Sequence, residues 1–388
     1  MIGGAPARPL SEVVVKVHGR CNLACDYCYV YRHADQSWRR KPAVMSRSTI
    51  DKLADRLGEQ ARSHSMPRLR VVLHGGEPLL AGVDLLRYVV RRIRGALPSE
   101  TRATFLIQTN AVLLDEAVLR VFAEDDIRVG VSLDGSRATN DHHRRFAGGR
   151  SSHPAVVAAL GLLGKQRFRH LYAGILCTVD VHSDPVETYE HLLSHQPPAM
   201  DLLLPHGNRV HPPPARPLDE RRSAYGDWLV AVFDRWYGAP VPETRIRLFE
   251  SLLDLLLGGR SSTEALGLNP IDIVTVDTDG SIEQGDALKS AADGAAATGM
   301  HLRTTSFDEV AQHPGIRARR SGLNALGPEC RECPVVRICG GGLYAHRYDG
   351  TGFRNRSVYC PDLYHLVAHV HARLRADLLK LRRDDSGC

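Results

Sequence analysis

The sequence predicts an α/β protein with a parallel sheet, followed by a smaller region that is rich in cysteine. Over the first 205 residues, six short runs rich in β-branched residues alternate with helical stretches. Alternation of this kind is typical of βα units, whose strands lie parallel with helices on the outside of the sheet. The sheet is therefore expected to be either an open α/β sheet or a barrel.

The strands and helices follow from the spacing of apolar residues. The predicted strands are Glu12–His18 and residues 69–74, 103–108, 128–133, 171–179 and 201–204. The predicted helices between them are residues 48–63, 83–95, 115–123, 154–166 and 185–194.

The chain divides into four predicted parts, residues 1–205, 206–265, 266–362 and 363–388. After the βα units comes a proline-rich loop (205–217) and two amphipathic helices (218–236 and 245–257). The third part opens with a β-hairpin within residues 271–289 that turns at Asp279-Gly280. A terminal helix over 363–381 closes the chain.

Composition indicates an ordinary globular protein, with 43% hydrophobic and 24% charged residues and a net charge of +6. No dense block of Lys and Arg interleaved with aromatics indicates a nucleic-acid surface. No apolar run approaches 18 residues, and the first ten residues hold no apolar segment, so secretory and membrane-spanning interpretations lack support. Seven of the nine cysteines fall in two tight groups, which favours metal ligation in a reducing cytoplasm over disulfides.

The first cysteine group is Cys21-x3-Cys25-x2-Cys28, directly after the first predicted strand. Three thiolates so close in sequence can hold three irons of a cubane and leave the fourth iron open to another ligand. The alternative is a zinc knuckle that His18 or His33 completes.

Polar motifs end the next three predicted strands. They are residues 74–78 (HGGEP), residues 108–110 (QTN) and residues 132–135 (SLDG). Barrels of βα units assemble their sites at this end of the strands, and two adjacent glycines let the backbone approach a ligand closely. Taken singly, each motif is also explained as a turn or a helix cap.

The cysteine triplet with Tyr29 resembles the signature of the radical S-adenosylmethionine (SAM) superfamily. The resemblance implies a partial (β/α)6 TIM-like barrel, and a [4Fe–4S] cluster on Cys21, Cys25 and Cys28 whose open iron binds SAM. It also implies that the HGGEP stretch holds the amino group of SAM. The residues that it implies as SAM contacts are Tyr27, Gly75, Gly76, Glu77, Gln108, Asn110, Ser132, Asp134 and Arg144.

The second cysteine group, Cys330-x2-Cys333-x5-Cys339-x20-Cys360, resembles the C-terminal SPASM domain of peptide-modifying radical SAM enzymes. That domain usually carries two auxiliary [4Fe–4S] clusters, but here Leu343 and Gly285 stand where further cysteines are expected. One auxiliary cluster is therefore predicted, with structural zinc as the alternative. Four thiolates leave no open iron, which suits electron transfer or structural support.

Read whole, the sequence resembles the FxsB family of radical SAM/SPASM proteins. The matching stretches are residues 15–42, 71–82, 107–116, 129–153, 176–180, 264–274 and 333–348. The resemblance implies that a ribosomally made precursor peptide with a Phe-x-Ser type core is crosslinked into a three-residue cyclophane. It also implies an external electron donor, a flavodoxin or ferredoxin. Asp277 is a candidate base, whereas Asp279 is expected to form the hairpin turn.

Two other functions remain open from the sequence. Within the same superfamily, the alternative is oxidation of Ser or Cys to an aldehyde, or thioether formation in a peptide. In a different class, the alternative is a zinc-stabilised binding protein without catalysis.

Overall fold

The computed structural model describes residues 8–215 and 223–385. Its strands are β1 (Glu12–His18), β2 (Arg68–Gly75), β3 (Arg102–Thr109), β4 (Ile127–Ser132), β5 (Tyr172–Thr178), β6 (Ala199–Leu203), β7 (Arg245–Ile246), β8 (Ile273–Val276), β9 (Ser281–Glu283) and β10 (Ala297–His301). Its α-helices are α1 (Arg47–Ser63), α2 (Val83–Ala96), α3 (Glu116–Glu124), α4 (Arg137–His143), α5 (His153–Leu163), α6 (Pro185–Ser194), α7 (Ala224–Tyr237), α8 (Arg247–Leu256), α9 (Phe307–Ala311), α10 (Pro314–Arg320), α11 (Pro328–Arg331), α12 (Val336–Cys339) and α13 (Cys360–Asp385).

The strands form one sheet in the order β10-β9-β8-β1-β2-β3-β4-β5-β6-β7. All pairs from β8 through β1 to β7 are parallel, and β8–β9 and β9–β10 are antiparallel. The six predicted strands of the first 205 residues and the five helices between them are confirmed. The sheet is the α/β layer expected for a partial barrel.

One face of the sheet packs against helices, and the other borders a cavity. Val13, Val15 and Val17 on one face of β1 are fully buried in the same apolar core as Ile50 and Leu53 of α1. The other face of the strands borders an internal cavity. Helices therefore cover the outside of the sheet, and its inside is left free to hold a ligand.

Short polar caps fix the starts of several helices near the site. Ser46 accepts from the backbone N–H of Thr49 before α1, Asp115 from Val118 before α3, and Asp184 from Glu187 before α6. Caps of this kind stabilise a helix by about 1 kcal/mol each.

The predicted hairpin is confirmed, with β8 and β9 joined by a turn in which Gly280 has φ of 89°. It does not stand apart from the barrel, because β8 pairs in parallel with β1. The sheet therefore continues across the predicted boundary at residue 266, which stays a prediction.

The remaining predicted elements differ in their bounds. The predicted start of the helix over 218–236 lies outside the described ranges, and its described part contains α7. The segment predicted as a helix over 245–257 contains β7 and α8. The terminal helix begins earlier than expected, at Cys360. Within the described residues, no helix has the length and apolar character needed to cross a membrane.

Candidate active site

The loop after β1 brings three cysteines to one cavity. Cys21, Cys25 and Cys28 line a cavity of about 250 Å³ at the carboxyl ends of the strands. The loop is fastened to the segment after α4, because the N–H of Ala24 donates to the carbonyl of Arg145 at 2.8 Å. The three thiols therefore face a common space.

Burial controls the protonation of these thiols. Burial raises the pKa of Cys21 to about 12 and that of Cys25 to about 11. The thiols are thus neutral in the metal-free chain, and a bound metal group would be needed to stabilise them as thiolates. Arg144 opposes the shift at Cys25, so one cation already faces the set.

The two glycines of the HGGEP stretch seat the cysteine loop against β2. The N–H groups of Gly76 and Glu77 donate to the carbonyls of His18 and Arg20 at 2.9 Å. A Cβ on Gly76 would overlap the hydroxyl of Tyr31 and lie 2.5 Å from the carbonyl oxygen of Arg20. Only glycine lets the end of β2 approach the loop this closely.

We expect Gly76→Ala to lower the free energy of unfolding by about 1–3 kcal/mol, because the added methyl group forces backbone atoms apart. Gly95→Ala is the matched control, since Gly95 lies on α2 with nothing within 4 Å of its Cβ position. That change is expected to stabilise the chain by about 0.5–1 kcal/mol. Urea unfolding of both variants checks this, and equal stability of the two would contradict it.

Glu77 is buried and already has three hydrogen-bond donors. Its carboxylate accepts from the hydroxyl of Thr109 at 2.6 Å and from the N–H groups of Asn110 and Leu79 at 2.8 and 2.9 Å. Burial raises its pKa, and these donors oppose the rise. The side chain therefore ties the end of β3 to the end of β2, and it still borders the cavity.

The ends of β3 and β4 reach the same cavity. The side-chain amide of Gln108 donates to the hydroxyl of Ser132 at 2.9 Å. Asn110 donates to the side chain of Asn22 at 2.7 Å and lies 3.7 Å from the sulfur of Cys21. Asn110 therefore positions the cysteine loop directly.

A hydrogen-bonded chain of three polar side chains begins at the cavity near Cys25. Arg144 donates to the hydroxyl of Tyr27 at 2.9 Å, and Tyr27 donates to Asp134. Asp134 also accepts from the N–H of Thr178 at 2.9 Å. Of the predicted SAM contacts, Asp134 alone does not border the cavity, and it acts by holding Tyr27.

A second cavity of about 650 Å³ lies inside the sheet and adjoins the first. The two share the side chains of Tyr29, His74, Gln108 and Leu176. We call this second space the chamber. Its lining includes an apolar belt of Val14, Val72 and Leu106 and the three arginines Arg70, Arg128 and Arg247.

The part of the chain that forms most of this cavity matches a known protein family. Residues 15–193 match the family model described as the Radical SAM superfamily. This segment of the chain is therefore similar to radical SAM domains. The matched segment runs from β1 into α6. It includes all residues that line the cysteine cavity except residues 203–206.

Several relatives match this chain over nearly its whole length. The serine-type anaerobic sulfatase-maturating enzyme of Bacteroides thetaiotaomicron is 23% identical over 94% of this chain and 90% of its own. The structure of native anSMEcpe with bound AdoMet and Kp18Cys peptide has a TM-score of 0.79 at 20% identity, covering 94% of this chain and 98% of that one. Streptococcus suis SuiB bound to precursor peptide SuiA has a TM-score of 0.57 at 13% identity, covering 91% and 76%.

The second cysteine group of the chain also converges. Cys330, Cys333, Cys339 and Cys360 line one cavity of about 460 Å³ formed by α11, α12 and the start of α13. Burial raises the pKa of Cys339 to about 12. Within the described ranges, no three His, Cys, Asp or Glu side chains are positioned to hold a metal ion. The two cysteine sets are therefore defined here by the cavities that they line.

Arginine surrounds the four thiols. Arg347 is buried and donates to the carbonyls of Gly340, Gly341 and Gly342 at 2.7–3.0 Å. Arg209 and Arg356 border the cavity itself. The set of four thiols with nearby cations fits a group that carries negative charge once the thiols are ionised.

Asp277, the candidate base, borders neither cavity. Its carboxylate lies 2.8 Å from the ammonium of Lys41, 3.5 Å from Lys289 and 3.7 Å from Lys16. Burial alone would raise its pKa, but the three lysines hold that pKa well below the usual range. Asp277 is therefore an ion-paired carboxylate that joins the hairpin to β1.

We expect Asp277→Asn to lower the free energy of unfolding at neutral pH by about 3–5 kcal/mol, because the three buried lysines then share only two carboxylates, those of Glu283 and Asp286, and one positive charge is left uncompensated. The folded-state pKa lies below the unfolded value. The loss is therefore complete above about pH 4 and vanishes as the pH falls through the lower folded value. Asp55→Asn, in a half-exposed pair with Arg92, should cost under about 1 kcal/mol. Urea unfolding over this pH range measures both, and a loss that persists in acid would contradict the pairing.

Among the carboxylates that line the chamber, Asp286 contacts the shared wall, and the sequence did not single it out. It lies 2.5 Å from Lys16 and accepts from the hydroxyl of Tyr29 at 3.3 Å. The sequence signal that could have pointed to Asp286 is its position directly after Gly285, which stands where the SPASM pattern has a cysteine. His74 and His206 were also missed, and both border the cysteine cavity.

Proposed function

We propose that this chain is a radical SAM enzyme that crosslinks a ribosomally synthesised precursor peptide. The crosslink is a three-residue cyclophane, a bond between an aromatic ring carbon and the β-carbon of the residue two positions on, in a Phe-x-Ser type core. The observation that carries the proposal is the shared wall between the cysteine cavity and the chamber. A peptide side chain in the chamber would lie directly beside the cysteines.

The cysteine cavity fits a [4Fe–4S] cluster and SAM. Cys21, Cys25 and Cys28 would hold three irons, and the HGGEP stretch would receive the amino group of SAM. When bound, this pair supplies a 5′-deoxyadenosyl radical that takes a hydrogen atom from the peptide. The other residues proposed to contact SAM, directly or through a neighbour, are Tyr27, Gln108, Asn110, Ser132, Asp134 and Arg144.

The protein contributes placement of the peptide and exclusion of water. The apolar belt of the chamber suits an aromatic ring. The three arginines in its lining suit a carbonyl or carboxylate of the peptide. The peptides named in the solved relatives, Kp18Cys with anSMEcpe and SuiA with SuiB, support a peptide in this space.

Crosslinking requires one proton and one further electron to leave the ring. Asp286 is placed to take the proton, because it borders the chamber and its carboxylate is ionised beside Lys16. Its low pKa is no obstacle, since the oxidised ring is a strong acid. We propose that an auxiliary [4Fe–4S] cluster on Cys330, Cys333, Cys339 and Cys360 takes the electron, and that a flavodoxin or ferredoxin supplies reducing electrons.

Mass spectrometry of a co-expressed precursor tests the proposal. A peptide with a Phe-x-Ser core is expected to lose two hydrogens, with backbone fragmentation blocked across three residues. The same peptide with Phe replaced by Leu is the control and should stay unmodified. An unchanged Phe peptide, in the presence of active SAM cleavage, would contradict crosslinking.

A second candidate is oxidation of a peptide Ser or Cys to an aldehyde. It is favoured by the match to a serine-type sulfatase-maturating enzyme over nine-tenths of both chains. An aldehyde reacts with a hydrazide probe, whereas a cyclophane does not. A hydrazide adduct on the product would therefore replace the first proposal with the second.

A further inference from the structure

Four aromatic rings connect the two cysteine cavities. Tyr29 borders the cysteine cavity and the chamber, and its ring lies edge-on to His206 with centroids 4.6 Å apart. His206 lies 5.7 Å from His346, and His346 lies 4.9 Å from Tyr359. We call Tyr29, His206, His346 and Tyr359 the ring series.

The far end of the ring series reaches the second cysteine group. Tyr359 directly precedes Cys360 in the chain, and Cys360 lines the cavity of four thiols. The N–H of Val358 donates to the carbonyl of His346 at 2.9 Å, which holds this segment against the helical turn that carries His346. The hydroxyl of Tyr359 donates to the carbonyl of Pro205 at 2.6 Å, which fixes the neighbouring His206.

The two imidazoles of the series are poorly suited to carry protons. Among the residues that the structure describes, His206 Nδ1 and His346 Nε2 are buried without a hydrogen-bond partner. Burial lowers the pKa of His206 to about 4 and that of His346 well below its usual value. Both rings are therefore neutral, and they meet their neighbours by ring contact.

Within the described ranges, no further group of cysteines lies between the two cysteine cavities. Of the eight cysteines in the described ranges, seven line one cavity or the other, and Cys177 lies in β5. An electron that passes from the chamber to the second cysteine group must therefore cross the protein itself. Tunnelling is faster through contacting atoms than across gaps, so a packed series of rings is the favoured path.

We propose that the ring series is the electron path between the peptide chamber and an iron–sulfur cluster on Cys330, Cys333, Cys339 and Cys360. This inference rests on the proposed function. The peptide radical that has added to its own aromatic ring loses one electron, which reduces that cluster by one unit. The proton leaves to Asp286, and the ring regains aromaticity. The rings act as the medium for tunnelling and are not themselves oxidised.

The test needs no peptide, because the path conducts in either direction. The anaerobically loaded protein is reduced with dithionite, freed of reductant and mixed with SAM. In the wild type, one 5′-deoxyadenosine forms from the electron of the first cluster, its radical taking a hydrogen atom from glycerol added to the buffer, and a second forms in the same way when the electron of the auxiliary cluster arrives. Electron paramagnetic resonance of samples frozen during the reaction follows the auxiliary cluster directly.

His206→Leu and His346→Leu are expected to slow the decay of the auxiliary signal and the second equivalent by about tenfold or more, because each opens a gap in the series. The first equivalent stays unchanged in His346→Leu, because His346 borders neither the cysteine cavity nor the chamber. His206→Phe and His346→Phe, which keep a ring but remove the nitrogens, should restore the rate. Tyr225→Leu is the matched control, since Tyr225 packs on Tyr359 with ring centroids 5.1 Å apart and is not a member of the ring series.

Each outcome is decisive. Normal decay in both Leu variants, equal slowing in Tyr225→Leu, or failure of the Phe variants to restore the rate would overturn the ring series while the proposed function stands. Loss of the first equivalent, or absence of an auxiliary signal from the wild type, would instead overturn the proposed function. Iron content and thermal unfolding identify a variant that has lost its fold. If one histidine variant fails these checks, the decay of the auxiliary signal is measured in the other one.

Discussion

Replacing Cys21, Cys25 and Cys28 together with alanine abolishes SAM cleavage and removes about four irons from each chain. The expectation follows from the shared cavity, where no other thiol of the described ranges stands close enough to substitute. The effect is complete, because a [4Fe–4S] cluster with fewer than three protein ligands is not retained. Formation of 5′-deoxyadenosine, measured by chromatography after anaerobic loading, checks it.

Cys177→Ala is the matched control for the triple variant. Cys177 is buried in β5, borders neither cavity and packs in the apolar core. Its replacement removes only a small buried group and should keep both the irons and SAM cleavage. If the triple variant still cleaves SAM, or if Cys177→Ala loses cleavage to the same degree, the assignment of the three cysteines is wrong.

Asp286→Asn separates SAM cleavage from crosslinking. The amide cannot take a proton, so we expect the yield of crosslinked peptide per 5′-deoxyadenosine to fall by about a hundredfold or more. Cleavage itself should continue, because Asp286 lies on the chamber side of the shared wall. The ratio of 5′-deoxyadenosine to crosslinked Phe-x-Ser peptide is the measurement.

Asp279→Asn is the control in the same hairpin. The side chain of Asp279 accepts from the N–H of Ser281 at 2.9 Å, a role that asparagine can keep. Its ratio of cleavage to crosslinking should match the wild type. An Asp286→Asn variant with the wild-type ratio would show that another group takes the proton.

The radical SAM core could be predicted from sequence because its signals are local. Strand periodicity places β1 to β6 within two residues of their observed bounds, and each motif follows directly on a strand. Parallel strands then bring Cys21, Gly75, Gln108 and Ser132 to one edge of the sheet without further information.

The features that were missed depend on contacts between distant parts of the chain. The pairing of β8 with β1 places Asp286 at the chamber and draws Asp277 into a group of lysines. Neither outcome follows from the hairpin sequence alone, because the same alternation of residues would fit another edge. The ring series likewise joins positions 29, 206, 346 and 359, which no local pattern connects.

Glu77 shows how a motif can have two tasks. The sequence assigned it to the amino group of SAM, and the structure adds three hydrogen bonds, two from Thr109 and Asn110 at the end of β3 and one from the N–H of Leu79. A carboxylate has about four acceptor positions, so one remains for a ligand. The local motif gives no sign of this second role, because Thr109 and Asn110 lie on another strand.

Anaerobic analysis of iron, sulfide and zinc in the purified chain tests the central claim most directly. A radical SAM enzyme with an auxiliary cluster predicts about eight irons and eight sulfides per chain, and broad absorbance near about 400 nm. The three-cysteine variant should keep about half of each. Stoichiometric zinc with no absorbance in that region would contradict the account and favour a zinc-stabilised binding protein.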